Sequence, residues 1–216
     1  GKNLVGQFYH PACILVDPVF LRTLPRAQIQ DGLSEAVKYG VIADAELFHR
    51  IAIDPDGALS VDRDLYREII GCCLKIKSRV VSKDEREKGA LRTILNFGHT
   101  IGHALEGYFS YKRLSHGRAV SLGMVAATHI SRERGLCPAS VLNSIESVLG
   151  SLGLPTRWVF PEAGAFDRVE EFLFQDKKFT RGSIRMVLVE KIGRVRVVDR
   201  IPRNMIMKAL RYIKKD

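Results

Sequence analysis

Cysteine is scarce in this chain. Four occur in 216 residues, Cys13, Cys72, Cys73 and Cys137, and no two form a C-x-x-C pair. Cys72 and Cys73 are neighbours on an expected helix and point different ways. The pattern is that of reduced, partly buried thiols in a cytosolic protein rather than a disulfide framework. Long apolar runs are missing too. No segment is long enough to span a bilayer and no signal peptide is evident, so a cytoplasmic protein without a membrane partner is expected. There is no internal repeat, no low-complexity stretch and no G-x-G-x-x-G turn of the kind that cradles a dinucleotide phosphate. Acidic residues are outnumbered, 24 against 34 basic ones, for a net charge of +10. The Lys and Arg residues are spread along the chain rather than gathered in one arm with interleaved aromatics. That distribution suits solvated helix faces and argues against nucleic acid, while an anionic substrate stays open.

What is present is core-forming material. Hydrophobic residues make up 46% of the chain, enough for one large domain or two small ones. Gly1-Lys2-Asn3-Leu4-Val5-Gly6 does not read as a natural start, so a piece of a longer chain is expected. Residues 12–16, Ala-Cys-Ile-Leu-Val, read as a short strand. Asp17-Pro18 is a helix start, with Asp as cap and Pro at the first position. Helical periodicity follows over 25–42, 45–52, 62–82, 116–134, 138–150, 166–174 and 202–213, with a turn at 54–57 and a charged connection at 84–89. Residues 183–189 and 194–198 read as a hairpin around Lys191-Ile192-Gly193. The expected fold class is mainly α: a compact multi-helix domain with one short strand and one small β-hairpin.

The densest chemistry lies in Asn96-Phe97-Gly98-His99-Thr100-Ile101-Gly102-His103. Four residues is about one helical turn, so His99 and His103 share a face, and Asn96 one turn earlier can point the same way. His116 follows thirteen residues later, so three of the six histidines fall within eighteen residues. Neutral imidazole is the commonest side-chain metal ligand. Such a pair also occurs as packing or as a solvated face. Gly98 and Gly102 tilt the reading toward a site, since each costs a helix about 1 kcal/mol relative to Ala and implies a close backbone approach or an unusual turn. Glu35 is the best carboxylate partner, because it lies on an apolar helical segment where an unpaired carboxylate is costly. An i, i+3 ion pair with Lys38 is the competing explanation for it. Gly32, on a neighbouring face, is expected to permit close approach.

Several motifs in register resemble one family. Gly1-Lys2-Asn3-Leu4, the run from Gly32 to Gly40, Asp84-Glu85-Arg86-Glu87, Leu95 to Ala104 and His116-Gly117 look like the C-terminal half of 3-dehydroquinate synthase. The resemblance covers nearly the whole chain. It implies a shikimate-pathway enzyme of aromatic amino acid biosynthesis that uses NAD and a divalent metal, Zn2+ or Co2+, and releases phosphate from 3-deoxy-arabino-heptulosonate 7-phosphate. It implies that residues 1–216 form the helical metal- and substrate-binding domain, that the N-terminal Rossmann-like NAD domain is absent from this chain, and that the isolated chain is inactive. A homodimer stays open. Carried over by position, Glu35, His99 and His116 would hold the metal. Lys38, Asn96 and His103 would bond substrate hydroxyls, Lys77 and Arg92 the carboxylate, and Asn3, Lys177 and Lys178 (beside Asp176) the phosphate. Lys2, Phe20, Leu21, Arg22 and Thr23 would line the NAD site.

Two departures from the family pattern stand out. Arg118 occupies a position where the family usually has Glu, and the segment 88–92 is one residue longer than usual. Three rivals remain. Other sugar phosphate cyclases, such as 2-deoxy-scyllo-inosose or valiolone synthases, take substrates without a carboxylate, and the presence of both Lys77 and Arg92 argues against them. Glycerol dehydrogenase-type alcohol dehydrogenases usually have Asp at the place of Glu35. A non-enzymatic basic helical module that binds an acidic partner would need no metal.

Overall fold

The computed structural model describes residues 9, 12–84, 91–110, 113–160, 164–175 and 183–215. After a 3-10 turn at Pro18–Thr23 come α1 (Arg26–Ala43), α2 (Ala45–Ile53), α3 (Pro55–Ser60) and α4 (Arg63–Lys83). A second 3-10 segment, Arg92–Asn96, leads into α5 (His99–Tyr108), α6 (His116–Glu133), α7 (Ala139–Ser151) and α8 (Ala165–Gln175). The antiparallel hairpin β1 (Ser183–Lys191) and β2 (Arg194–Pro202) precedes α9 (Arg203–Tyr212). The mainly α class holds, and the long helices end within a residue or two of their expected bounds.

Helix α6 is the axis of the fold. It is buried around almost its whole circumference from Gly117 to Ser131, as expected of a helix packed on all sides. Helices α1, α5, α7 and α9 and strand β1 all pack on it. Its small residues allow the close approach. A Cβ on Gly123 would collide with the Gly98 carbonyl oxygen, and one on Gly117 would collide with the Asp31 backbone. The buried hydroxyls on α6 are satisfied: Thr128 donates to the Met124 carbonyl at 2.7 Å, and Ser131 donates to Ala127 at 2.9 Å while accepting from the Val189 amide at 3.0 Å. That last bond ties the hairpin to the axis, and the Gly193 amide at the hairpin tip donates to Val41 at 2.9 Å.

Four local expectations need correction. Residues 12–16 form no ladder, and Ile14 and Leu15 are exposed. A strand needs a neighbour for its backbone groups, and β1–β2 is the one sheet among the described residues. Asp54-Pro55-Asp56-Gly57 is not a free turn but the start of α3, because Asp54 accepts from the Gly57 amide at 2.8 Å and Pro55 occupies the first turn. The same residues that punctuate a turn also cap a helix. Gly32 has open space where its Cβ would be, so the close contact to α6 falls instead on Asp31. Asn96 does not lie on the histidine helix: it ends the 3-10 segment, and Gly98, at φ +77°, separates it from α5.

Candidate metal centre

Three helix starts and faces converge to build the site. Helix α1 buries Ile29, Leu33, Ala36, Val37 and Val41 together with Lys38, while Glu35 is half-buried beside them. Two polar clasps dock α1 against the beginning of α6. Ser34 donates to the Gly117 carbonyl at 2.7 Å, and Ser115 donates to the Asp31 carboxylate at 2.6 Å. They bring His116, the first residue of α6, over Glu35. The left-handed turn at Gly98 then starts α5 with His99 facing the same point. A side chain at Gly98 would meet Val120 and Met124 of α6, so the two glycines of this stretch serve the close approach that the sequence implied.

The resulting donor set is compact. Glu35 Oε1 lies 3.5 Å from His99 Nε2 and 3.4 Å from His116 Nε2. All three donor atoms fall within 4.8 Å of one another. Glu35 Oε2 accepts from Lys38 Nζ at 2.6 Å, so the competing ion pair forms as well, yet it uses only one carboxylate oxygen. Oε1 is buried and has no hydrogen-bond partner. A buried orphan oxygen flanked by two imidazole nitrogens fits a cation. Two donors on a tetrahedral zinc, each at about 2.0–2.1 Å, stand roughly 3.3–3.4 Å apart, close to both observed separations.

Each ring is oriented from behind. His99 Nδ1–H donates to the Phe97 carbonyl at 3.1 Å, and His116 Nδ1–H donates to Glu106 Oε1 at 3.1 Å. In both rings Nε2 is the nitrogen nearer Glu35. Burial holds the His99 imidazole down to about 4, with the Lys38 charge adding to the effect. The His116 imidazole is raised, first by Glu35 and, against the effect of burial, by Glu106. Burial alone would raise Glu35, but the neighbouring His116 ring and Lys38 bring it down to about 2. His103 completes the cluster on its open side. Its side chain is 61% exposed, its ring centroid is 5.2 Å from that of His99, and its Nε2 is 4.0 Å from Glu106 Oε2.

Glu35, Lys38, His99, His103 and His116 are thus brought together. Lys77 is exposed on α4, and Arg92 is half-buried at the start of the 3-10 segment, its amide donating to Asp84 at 3.3 Å. Both elements flank α1. Asn96 is exposed. Phe20, Leu21, Arg22 and Thr23 form the 3-10 turn against α4, with Phe20 exposed and Leu21 packed on the core. Lys2, Asn3, Lys177 and Lys178 lie outside the described residues. Arg118 stacks its guanidinium over Trp158, 5.3 Å from the ring centroid. Glu106 was missed by sequence reasoning, although its i, i+3 spacing from His103 was a signal for it.

A family profile described as the C-terminal region of 3-dehydroquinate synthase matches residues 32–179. A 3-dehydroquinate synthase from Synechococcus sp. is 40% identical over 99% of this chain. The chain spans 58% of that relative's length. A 2-deoxy-scyllo-inosose synthase, solved with carbaglucose-6-phosphate, NAD+ and Co2+, superposes with a TM-score of 0.80 at 26% identity, over 98% of this chain and 59% of its own. A 2-epi-5-epi-valiolone synthase from Streptomyces hygroscopicus, solved with NAD+ and Zn2+, has the same fold, with a TM-score of 0.85 at 24% identity over 98% of this chain and 58% of its own. The fold places the chain in the structural class of these synthases. Within that class, the chain belongs to the 3-dehydroquinate synthase family, as its motifs implied.

Proposed function

We propose that this chain is the metal- and substrate-binding part of a 3-dehydroquinate synthase, converting 3-deoxy-arabino-heptulosonate 7-phosphate to 3-dehydroquinate and phosphate. The observation that carries the reading is the orphan oxygen of Glu35 between His99 Nε2 and His116 Nε2. Glu35, His99 and His116 hold a divalent ion, Zn2+ or Co2+. When bound, that ion supplies Lewis acidity at a substrate hydroxyl, and NAD, held mainly by an N-terminal Rossmann-like domain, supplies reversible hydride acceptance. The chain's own residues bind, orient and move protons. Lys38 Nζ, already directed by Glu35, offers its remaining N–H groups to a substrate hydroxyl. His103 Nε2, on the open side, exchanges a proton there, and Asn96 bonds a further hydroxyl. Lys77 and Arg92 hold the carboxylate, the planar guanidinium pairing with it in two-pronged fashion. Asn3, Lys177 and Lys178 meet the phosphate, and Lys2 with Phe20, Leu21, Arg22 and Thr23 borders NAD. Phosphate would leave as the neighbouring C–H bond breaks, the departing phosphate taking up that proton, and ring opening and closure would follow.

The protein is then a cytoplasmic lyase of aromatic biosynthesis with a small-molecule substrate. The 40% identity to 3-dehydroquinate synthases, against 24–26% to the other cyclases, favours this reading over its closest rival. The test is phosphate release from the heptulosonate phosphate with zinc and NAD, on the enzyme extended to the length of its relatives. In that enzyme Arg92→Ala should lower kcat/KM about 100-fold, the scale of a lost buried ion pair. Equal turnover of a carboxylate-free sugar phosphate would point to the other cyclases. The 216-residue chain alone should bind zinc without turning over, and full turnover by it would overturn the two-domain reading.

A further inference from the structure

Glu106 has no part in the reading above, yet it is a carboxylate with only 9% of its side chain exposed. Burying such a group is costly unless its oxygens are met. Oε1 is met by one imidazole, 3.1 Å from His116 Nδ1, while Oε2 faces the exposed His103 ring, whose Nε2 is 4.0 Å away. Helix α5 carries Glu106 two turns beyond His99, and Gly102 lets that helix run against Ala119 of α6. The carboxylate is therefore fixed behind the His116 ring by the packing of two helices.

A neutral imidazole has one N–H, and its Nε2 can donate a lone pair only when the proton sits on Nδ1. The two rings of the donor set meet that demand differently. His99 relies on the Phe97 carbonyl, which belongs to the main chain, and His116 relies on a side chain. We propose that Glu106 is a positioning residue that accepts the His116 Nδ1–H and so holds the ring in the tautomer whose Nε2 faces Glu35 and His99. The inference rests on the metal reading of those three donors. A plain structural anchor between α5 and α6 is the alternative, and it would affect folding alone.

The test uses the 216-residue chain, its Glu106→Ala and Glu106→Gln variants, and two readouts besides activity. Long-range proton–nitrogen NMR of the metal-free protein reports the His116 tautomer. Competition with a chelating dye reports zinc affinity. Wild-type protein should carry the proton on Nδ1. In Glu106→Ala the tautomers should mix, and zinc affinity should fall roughly 10- to 100-fold, the usual effect of losing an outer-shell partner. Glu106→Gln keeps an acceptor oxygen of the same size and should fall between the two. An unchanged tautomer and zinc affinity in Glu106→Ala would overturn the proposal even if the melting temperature drops. If that variant does not fold, wild-type zinc affinity in Glu106→Gln overturns it instead. A wild-type chain that binds no zinc sinks the metal reading. A tautomer that still changes in Glu106→Ala then supports the Glu106 contact, and one that does not overturns it.

Discussion

Helix α6 carries two histidines thirteen residues apart, and their surroundings differ in kind. His116, at its start, has a carboxylate on either side, Glu35 at its Nε2 and Glu106 at its Nδ1. His129, near its end, lies among cations and an aromatic ring. It is 7% exposed, its ring centroid is 4.2 Å from that of Tyr212, and its Nε2 is 3.4 Å from an Arg132 nitrogen. Arg157 covers Tyr212 at 4.0 Å and pairs with Glu146 at 2.5 Å. Each end also holds one buried, unpartnered atom, Glu35 Oε1 at the first and His129 Nδ1 at the second. Only the first atom is a carboxylate oxygen set between two imidazole nitrogens. Neither three-donor group among the described residues includes His129. The two ends of one buried helix thus hold one histidine inside a three-donor group and one packed against an aromatic ring.

The sharpest way to break this contrast is metal binding. His99→Ala should bring bound zinc well below one per chain, whereas His129→Ala should leave one equivalent, both read by elemental analysis after dialysis. Full occupancy in the first variant, or loss in the second, would erase the distinction between the two ends. Backbone contact comes next. Gly123→Ala drives a Cβ into the Gly98 carbonyl and should cost about 3 kcal/mol in urea unfolding, the upper range for overpacking. Gly71→Ala on α4 has open space and should stabilise the fold by roughly 0.5–1 kcal/mol. Equal effects from the two would mean that the α5–α6 approach is not tight.

At the far end, Arg157→Ala removes a part-exposed ion pair and a stacked cation. It should cost about 1 kcal/mol in the same measurement and leave zinc content unchanged. The smallest effect is on pH. Burial, then the Arg132 charge, lowers the His129 imidazole below its ordinary 6.5. Arg157 acts in the same sense, while Glu133 and Glu146 oppose it. The folded state resists a proton that the unfolded chain takes up, so stability should decline as pH falls below about 6.5. In His129→Phe that part of the slope between about pH 7 and pH 5 should flatten, and an identical slope would show that His129 is not held neutral by the fold.

Much of the site was legible because its signals are local. His99 and His103 stand one turn apart, Gly98 and Gly102 advertise a close approach, and Glu35 is an anion on an apolar helix. What was not legible depends on residues distant in sequence. Glu106 drew no notice from its own helix, because its contact to His116 forms only where α6 packs on α5. Arg118 gave no sign of its partner, Trp158, forty residues away. Asn96 fell off the histidine helix because Gly98 takes a left-handed turn against Val120 and Met124, a conformation set by the neighbouring helix.

The sequence by itself determined the long helices, the Asp17 cap and the chemical character of the donors. Periodicity, Asp-Pro starts and residue type act within a few positions of the chain. Tertiary structure alone decided which donors meet, which face of each ring is free, and which apolar stretch remains unpaired. Those outcomes depend on helix-to-helix contact through Gly98, Gly117 and Gly123, where the distances are fixed by backbone against backbone.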